Sequence, residues 1–133
     1  MENLEEKFVP FKETSEIHLL GFDNKCIATI DQIEYVHIKG TKSSPRGSMM
    51  YDVVDAILWQ DAFEWFREKH NINSVIDNDI FEVDNEIVYT YVLTNIEDAE
   101  EINNDYDYEF YESYKKAQLE CIRKLIEIVK GKK

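Results

Sequence analysis

The chain has 133 residues, with 28 Asp and Glu against 15 Lys and Arg and a net charge of −13. Its 7 Phe, 8 Tyr and 2 Trp exclude a solvated, disordered polyanion and put the charge on a folded surface. The length fits one domain, 1–133, with one core, and no apolar run approaches the roughly 20 residues that would span a bilayer.

Residues 1–11 read as a flexible lead-in with neither the basic start nor the apolar stretch of a signal peptide, which points to a cytoplasmic protein. A short helix is expected to start near Phe11 or Thr14 and run through Leu20, with a hydroxyl cap and an early acid in the stretch from Thr14 and with Gly21 closing it. Residues 26–30 and 33–38 are β-prone and flank Asp31 and Gln32, which suggests a hairpin whose turn lacks glycine. Residues 39–48 have the composition of a basic, flexible loop.

Trp59, Ala62, Phe63 and Phe66 recur at i, i+3, i+4 and i+7, so a helix over 58–70 puts them on a core face with Trp65 at its boundary. Three short runs follow, 74–77, 80–83 and 86–94, separated by turns at Asn78-Asp79 and Asp84-Asn85. In the last run Ile87, Tyr89, Tyr91 and Leu93 share one face of a strand, and Val88, Thr90, Val92 and Thr94 the other. Asn95 is placed to cap a short helix through Ile102. Ser113 is placed to cap a helix over 114–130, whose stripe is Tyr114, Ala117, Cys121, Leu125 and Ile128, flanked by Ile122, Ile126 and Val129. Lys116–Glu120, Glu120–Lys124 and Arg123–Glu127 are opposite charges at i+4 on its solvent side. Together these segments predict an α+β fold of about five short, mostly antiparallel strands, packed on one side by two longer helices, with a small helix near the amino terminus.

The acidity is concentrated. From Asn71 to Tyr114 there is no Lys or Arg and there are thirteen acids, so the rest of the chain is balanced at 15 acids and 15 bases. The densest part, 97–112, is an acidic, aromatic connection with eight acids in sixteen residues. Its candidate partner-binding residues are Glu97, Asp98, Glu100, Glu101, Asp105, Tyr106, Asp107, Tyr108, Glu109 and Tyr111. Phosphate binding needs clustered cations, so nucleic acid is not expected as a direct ligand here. Such a face suits a protein with a basic surface, because opposite charge speeds encounter and tyrosines give rigid contact area.

Three segments are similar to one family. Residues 20–28 (LGFDNKCIA), 60–70 (QDAFEWFREKH) and 111–130 (YESYKKAQLECIRKLIEIVK) resemble, in order, the pattern LGFDEPC, QAFRWFREKY and TYEEAELECLKKLIEIVK. That pattern belongs to small uncharacterised proteins encoded by phages and prophages of gut and related bacteria. The resemblance spans the domain and implies a phage or prophage origin, with the host cytoplasm as its setting. It implies no activity and no catalytic residues. Asn24 and Lys25 depart from the acid and proline of the pattern, and the segments 39–48 and 97–107 are longer than it needs.

No motif for chemistry stands out. His18, His37 and His70 are isolated from one another, and Cys26 and Cys121 have neither metal nor redox spacing, so no metal, cofactor or disulfide is expected. Asp77-Asn78-Asp79 and Asp105-Tyr106-Asp107 begin like calcium loops but lack the glycine at the sixth position and the glutamate at the twelfth. Lys39, Lys42 and Arg46 form the weak alternative, a loop that holds a phosphate. The expectation is a non-enzymatic phage accessory protein, monomer or homodimer, that binds a host or phage protein through its acidic face, as a nucleic-acid mimic or an inhibitor of a host defence complex does. The alternatives are a structural or packaged component of a phage particle and a protein that sequesters a small molecule or nucleotide.

Overall fold

A computed structural model of the chain describes residues 4–39, 52–81, 86–100, 102 and 110–131. The fold is α+β: among the described residues there are three α-helices and five strands, and the strands pair antiparallel in two small sheets. The chain gathers into two compact units, residues 1–62 and 63–133.

The first unit begins with a short 3-10 turn, Leu4–Lys7. Phe8 then bridges Leu58, and the Val9 N–H donates to the Ile57 carbonyl at 2.8 Å. Phe8 and Val9 are buried, so the stretch expected to be a flexible lead-in contributes two apolar side chains to the core. Helix α1, Phe11–Leu19, starts at the earlier of the two expected positions. Thr14 is not its cap: its hydroxyl donates back to the Val9 carbonyl at 2.8 Å from inside the first turn. The Phe11 N–H instead donates to both carboxylate oxygens of Glu34, at 3.1 and 3.0 Å, from 23 positions along the chain. The closing glycine behaves as expected. Gly21, at φ 113°, lets its own N–H reach the His18 carbonyl and the Phe22 N–H reach that of Ile17, at 3.0 and 3.4 Å.

Strand β1, Ala28–Asp31, lies between β2, Val36–Ile38, and β3, Val53–Ala56. The expected hairpin is β1–β2, in register Ala28↔Ile38 and Ile30↔Val36. Its turn needs no glycine because Asp31 organises it. One Asp31 carboxylate oxygen accepts the N–H groups of Ile33 and Tyr35, both at 3.0 Å, and Glu34 takes the left-handed φ of 66°. Strand β3 is additional to the sequence reading. It pairs with β1 from Ala28↔Ala56 to Asp31↔Val53, and α1 packs against it, with the His18 Nε2–H donating to the Asp55 carbonyl at 2.8 Å. The apolar core of this sheet is Phe8, Ala28, Ile30, Val36 and Ala56.

Helix α2, Trp59–His70, contains the boundary between the units. Ala62 and Phe66 are buried as expected, but Trp65, expected at the boundary of the apolar face, is only 3% exposed, and its ring meets Phe66 and His70 edge-on at 5.0 and 4.9 Å. Trp59 is half-buried and donates its indole N–H to the Glu6 carbonyl at 3.0 Å.

The second unit is built on one long hairpin. Strand β4, Ile72–Phe81, pairs with β5, Glu86–Asn95, without interruption from Ile72↔Asn95 to Phe81↔Glu86. The turn expected at Asn78-Asp79 does not form. These residues sit opposite Tyr89 and Val88, and the continuous ladder outweighs their local turn preference. The expected turn at Asp84-Asn85 lies outside the described residues. Helix α3, Tyr114–Gly131, packs on both strands. Ser113 caps it, accepting the Lys116 N–H at 3.1 Å. Ala117, Cys121, Ile122, Leu125, Ile126 and Val129 are buried, as the stripe predicts, whereas Tyr114 at its head is 49% exposed. The Cys121 thiol bonds Ser74, which sits opposite Leu93 and so fixes which face of the hairpin looks at α3. On the solvent side Glu120 takes Lys116 at 3.9 Å and Arg123 at 2.7 Å, and Lys124 reaches Glu127 at 3.6 Å, so two of these pairs form at i+3. No helix among the described residues is long and apolar enough to cross a membrane.

Candidate functional site

The acidic connection is tied to the edge of β5 away from β4. After Asn95 the chain turns through 96–98, with the Glu97 N–H held by the Asn95 side chain at 2.9 Å and the Glu100 N–H by that of Asp98 at 3.0 Å. Ala99 takes a φ of 58°. The helix expected from Asn95 to Ile102 does not form, because both side chains bond two residues ahead and close turns instead. The chain then runs back: the Asn95 N–H donates to the Glu100 carbonyl at 2.9 Å, and the Ile102 N–H to that of Leu93 at 2.7 Å. Tyr111 rejoins the same edge opposite Tyr89, the two exchanging both backbone bonds at 2.8 and 2.7 Å. Leu93 and Tyr89 are four residues apart, about 13 Å along a strand. Ile102 and Tyr111 are therefore both bonded to one strand.

At the Tyr111 anchor four tyrosines meet. Tyr89 and Tyr91 lie on the α3-facing side of β5, since they alternate in phase with Leu93. Tyr111, opposite Tyr89, is on that side too, and its ring stacks on Tyr91 with centroids 6.3 Å apart and planes 12° from parallel. Tyr114, the first residue of α3, meets Tyr89 edge-on at 6.0 Å and 88°. Ile87, in phase with this row, is 53% exposed, and Phe110 and Tyr114 are exposed as well. Aromatic pairs in these geometries hold one another rigid. Three secondary-structure elements thus present an aromatic surface that is partly open to solvent, with Glu112 exposed beside it.

Of the expected partner-binding residues, Glu97, Asp98 and Glu100 are exposed at the turn end of β5, and Tyr111 is half-buried at the other anchor. One carboxylate oxygen of Glu97 accepts the Asn71 side-chain N–H at 3.1 Å. Glu101, Asp105, Tyr106, Asp107, Tyr108 and Glu109 lie outside the described residues. Tyr89, Tyr91 and Tyr114 were missed as site residues. The alternation along β5 already put the first two on one face, but Tyr114 was counted with the core because it continues the α3 stripe by one turn.

Of the basic-loop residues, Lys42 and Arg46 lie outside the described residues, and Lys39 is paired, its ammonium 2.8 Å from the Asp55 carboxylate. Both cysteines are free thiols. Burial pushes the Cys121 thiol far above its ordinary range, with the Ser74 bond opposing. Burial also raises Cys26, and Asp55 and Asp61 add to the rise while Lys39 opposes it. Among the described residues no three His, Cys, Asp or Glu are grouped to hold a metal ion. No protein-family model, curated protein or solved structure matches the chain.

Proposed function

We propose that this chain is a non-enzymatic accessory protein that docks on a protein with a basic surface through the acidic, tyrosine-rich face at the edge of β5 away from β4. In the setting the resemblance implies, that partner is a host protein met during infection or prophage expression. The face then imitates the charge of nucleic acid and occupies a basic cleft, as an inhibitor of a nuclease or defence complex would. The observation that carries this reading is the packing of Tyr89, Tyr91, Tyr111 and Tyr114 at one anchor of the base-free acidic segment. Rigid, half-open tyrosines supply contact area at little entropic cost, and the surrounding acids supply long-range attraction and register.

The test is capture from a bacterial lysate at low and high salt, with the native chain beside a variant in which Glu100, Glu101, Asp105, Asp107 and Glu109 become Gln or Asn. A basic partner held by the native chain, released by salt and lost by the variant is the expected result. A partner held equally by both chains would return the acidic segment to a solvated surface.

A further inference from the structure

The two edges of the β4–β5 hairpin differ. Tyr89 turns both its backbone groups outward to Tyr111, so by ladder alternation the even-numbered residues of β5 face β4, and their odd-numbered β4 partners face back. The even-numbered residues of β4 therefore aim their N–H and C=O groups away from the hairpin. Among the described residues no backbone group bonds Ile72, Ser74 or Ile76 on that side. The Asn78 N–H is taken by the Asp77 carboxylate at 2.9 Å, which brings that carboxylate to the edge. Beside it on the face away from α3 is Val75, an apolar side chain 50% exposed. The β5 edge is met by the returning chain, and on the β4 edge the outward backbone groups of Ile72, Ser74 and Ile76 have no backbone partner among the described residues.

We infer that the β4 edge is a strand-addition site for an extended basic peptide. An open edge offers main-chain bonds to any strand, and the side chains flanking it select which one. An antiparallel strand bonded at Ser74 and Ile76 sets one residue opposite Val75 and the residue two earlier in its own sequence opposite Asp77, on the same face. The partner pattern is then Lys or Arg, any residue, and Val, Ile or Thr. Charge chooses this occupant over a second copy of the chain. A two-fold pairing can set Val75 against Val75, but it brings together two segments 71–114 that each hold thirteen acids and no base. Open edges are commonly protected by charge, and Asp77 gives that protection against acidic or neutral strands while attracting basic ones. The site is on the hairpin edge opposite Tyr111, so a variant here leaves the proposed tyrosine face in place and the two surfaces succeed or fail separately.

The test is amide hydrogen exchange of the full chain with the probe peptide Thr-Lys-Thr-Val-Thr-Lys-Thr-Val-Thr, and with its counterpart in which Glu replaces Lys. At ten times its Kd the Lys peptide is expected to slow the Ser74 and Ile76 amides about tenfold and to leave Tyr89 and Tyr111 unchanged. The Glu peptide is expected to do neither. In Asp77→Lys the preference should reverse, and Val75→Lys should weaken the Lys peptide. Equal slowing by both peptides, slowing confined to Tyr89 and Tyr111, or concentration-dependent slowing without peptide, which would mark a second copy, would each overturn the inference.

Discussion

The two units of the chain are held together by different means. In residues 1–62 the elements are short, and polar side chains position them: Glu34 holds the start of α1 and His18 ties α1 to β3 over long stretches of sequence, while Asp31 folds the β1–β2 turn locally. In residues 63–133 one long hairpin and one long helix meet through an apolar face, and among the described residues of this unit no Asp or Glu is buried. The first unit spends its charged groups on its own architecture. The second contains the segment 71–114, which holds thirteen acids and no base. That difference is why the docking reading belongs to the second unit alone.

The comparison can be tested at its strongest point first. Leu125, fully buried under α3, should lose about 2–5 kcal/mol as Leu125→Ala in urea unfolding, since it leaves a cavity in the apolar face. The polar counterpart is Asp31, 2% exposed, whose second carboxylate oxygen is buried with no partner among the described residues. Asp31→Ala should cost about 1–3 kcal/mol by stranding the Ile33 and Tyr35 N–H groups. Asp31→Asn keeps one acceptor and removes a buried charge, so it should lose less. Equal losses in the two variants would mean that the turn does not depend on that acceptor.

Glu34 sharpens the contrast through pH. Burial raises its pKa above the usual carboxylate value, the Phe11 N–H opposes this, and Glu13 and Asp31 add to the rise. The stability linked to that shift is full below the unfolded value of about 4.3 and is lost as pH rises through the raised folded value. Glu34→Gln should flatten that fall in urea midpoints taken from about pH 4 upward. Glu34→Ala should in addition lose about 1 kcal/mol of helix capping.

The smallest effect is expected at Lys39. Its pair with Asp55 is half exposed, so Lys39→Met should change stability by about 0–1 kcal/mol. It should nonetheless slow alkylation of Cys26, because burial raises that thiol and the ammonium opposes part of the rise. Cys121 should react only when the chain unfolds.

The second unit was the more legible in sequence, for the same reason that it is the simpler in structure. Ser113 caps α3 from three residues away, the stripe from Ala117 to Val129 repeats at helical spacing, and β5 alternates cleanly, so each signal is local. Where it misled, a long-range term decided. Asn78 and Asp79 have turn composition but are held in strand by ten consecutive pairings, and Tyr114 extends an apolar stripe past the part of α3 that is buried. The first unit hid more. Nothing near Phe11 reveals that its N–H is capped by Glu34, and β3 becomes a strand by pairing with β1 more than twenty residues earlier. The acidic segment was conspicuous by charge alone. That it is anchored twice on β5, and that four tyrosines meet at one anchor, follows from pairings that composition does not contain.

The most direct test of the docking face keeps the charge and removes the aromatic surface. A Tyr91→Ala, Tyr111→Ala double variant retains every acid of the chain, and its capture of a basic partner from a bacterial lysate can be compared with the native chain across a salt series. The account predicts at least a tenfold loss of binding by the variant at low salt, with the salt slope unchanged, because the tyrosines supply contact and the acids supply attraction. Undiminished capture by the variant would contradict it and leave bulk charge as the whole of the interaction.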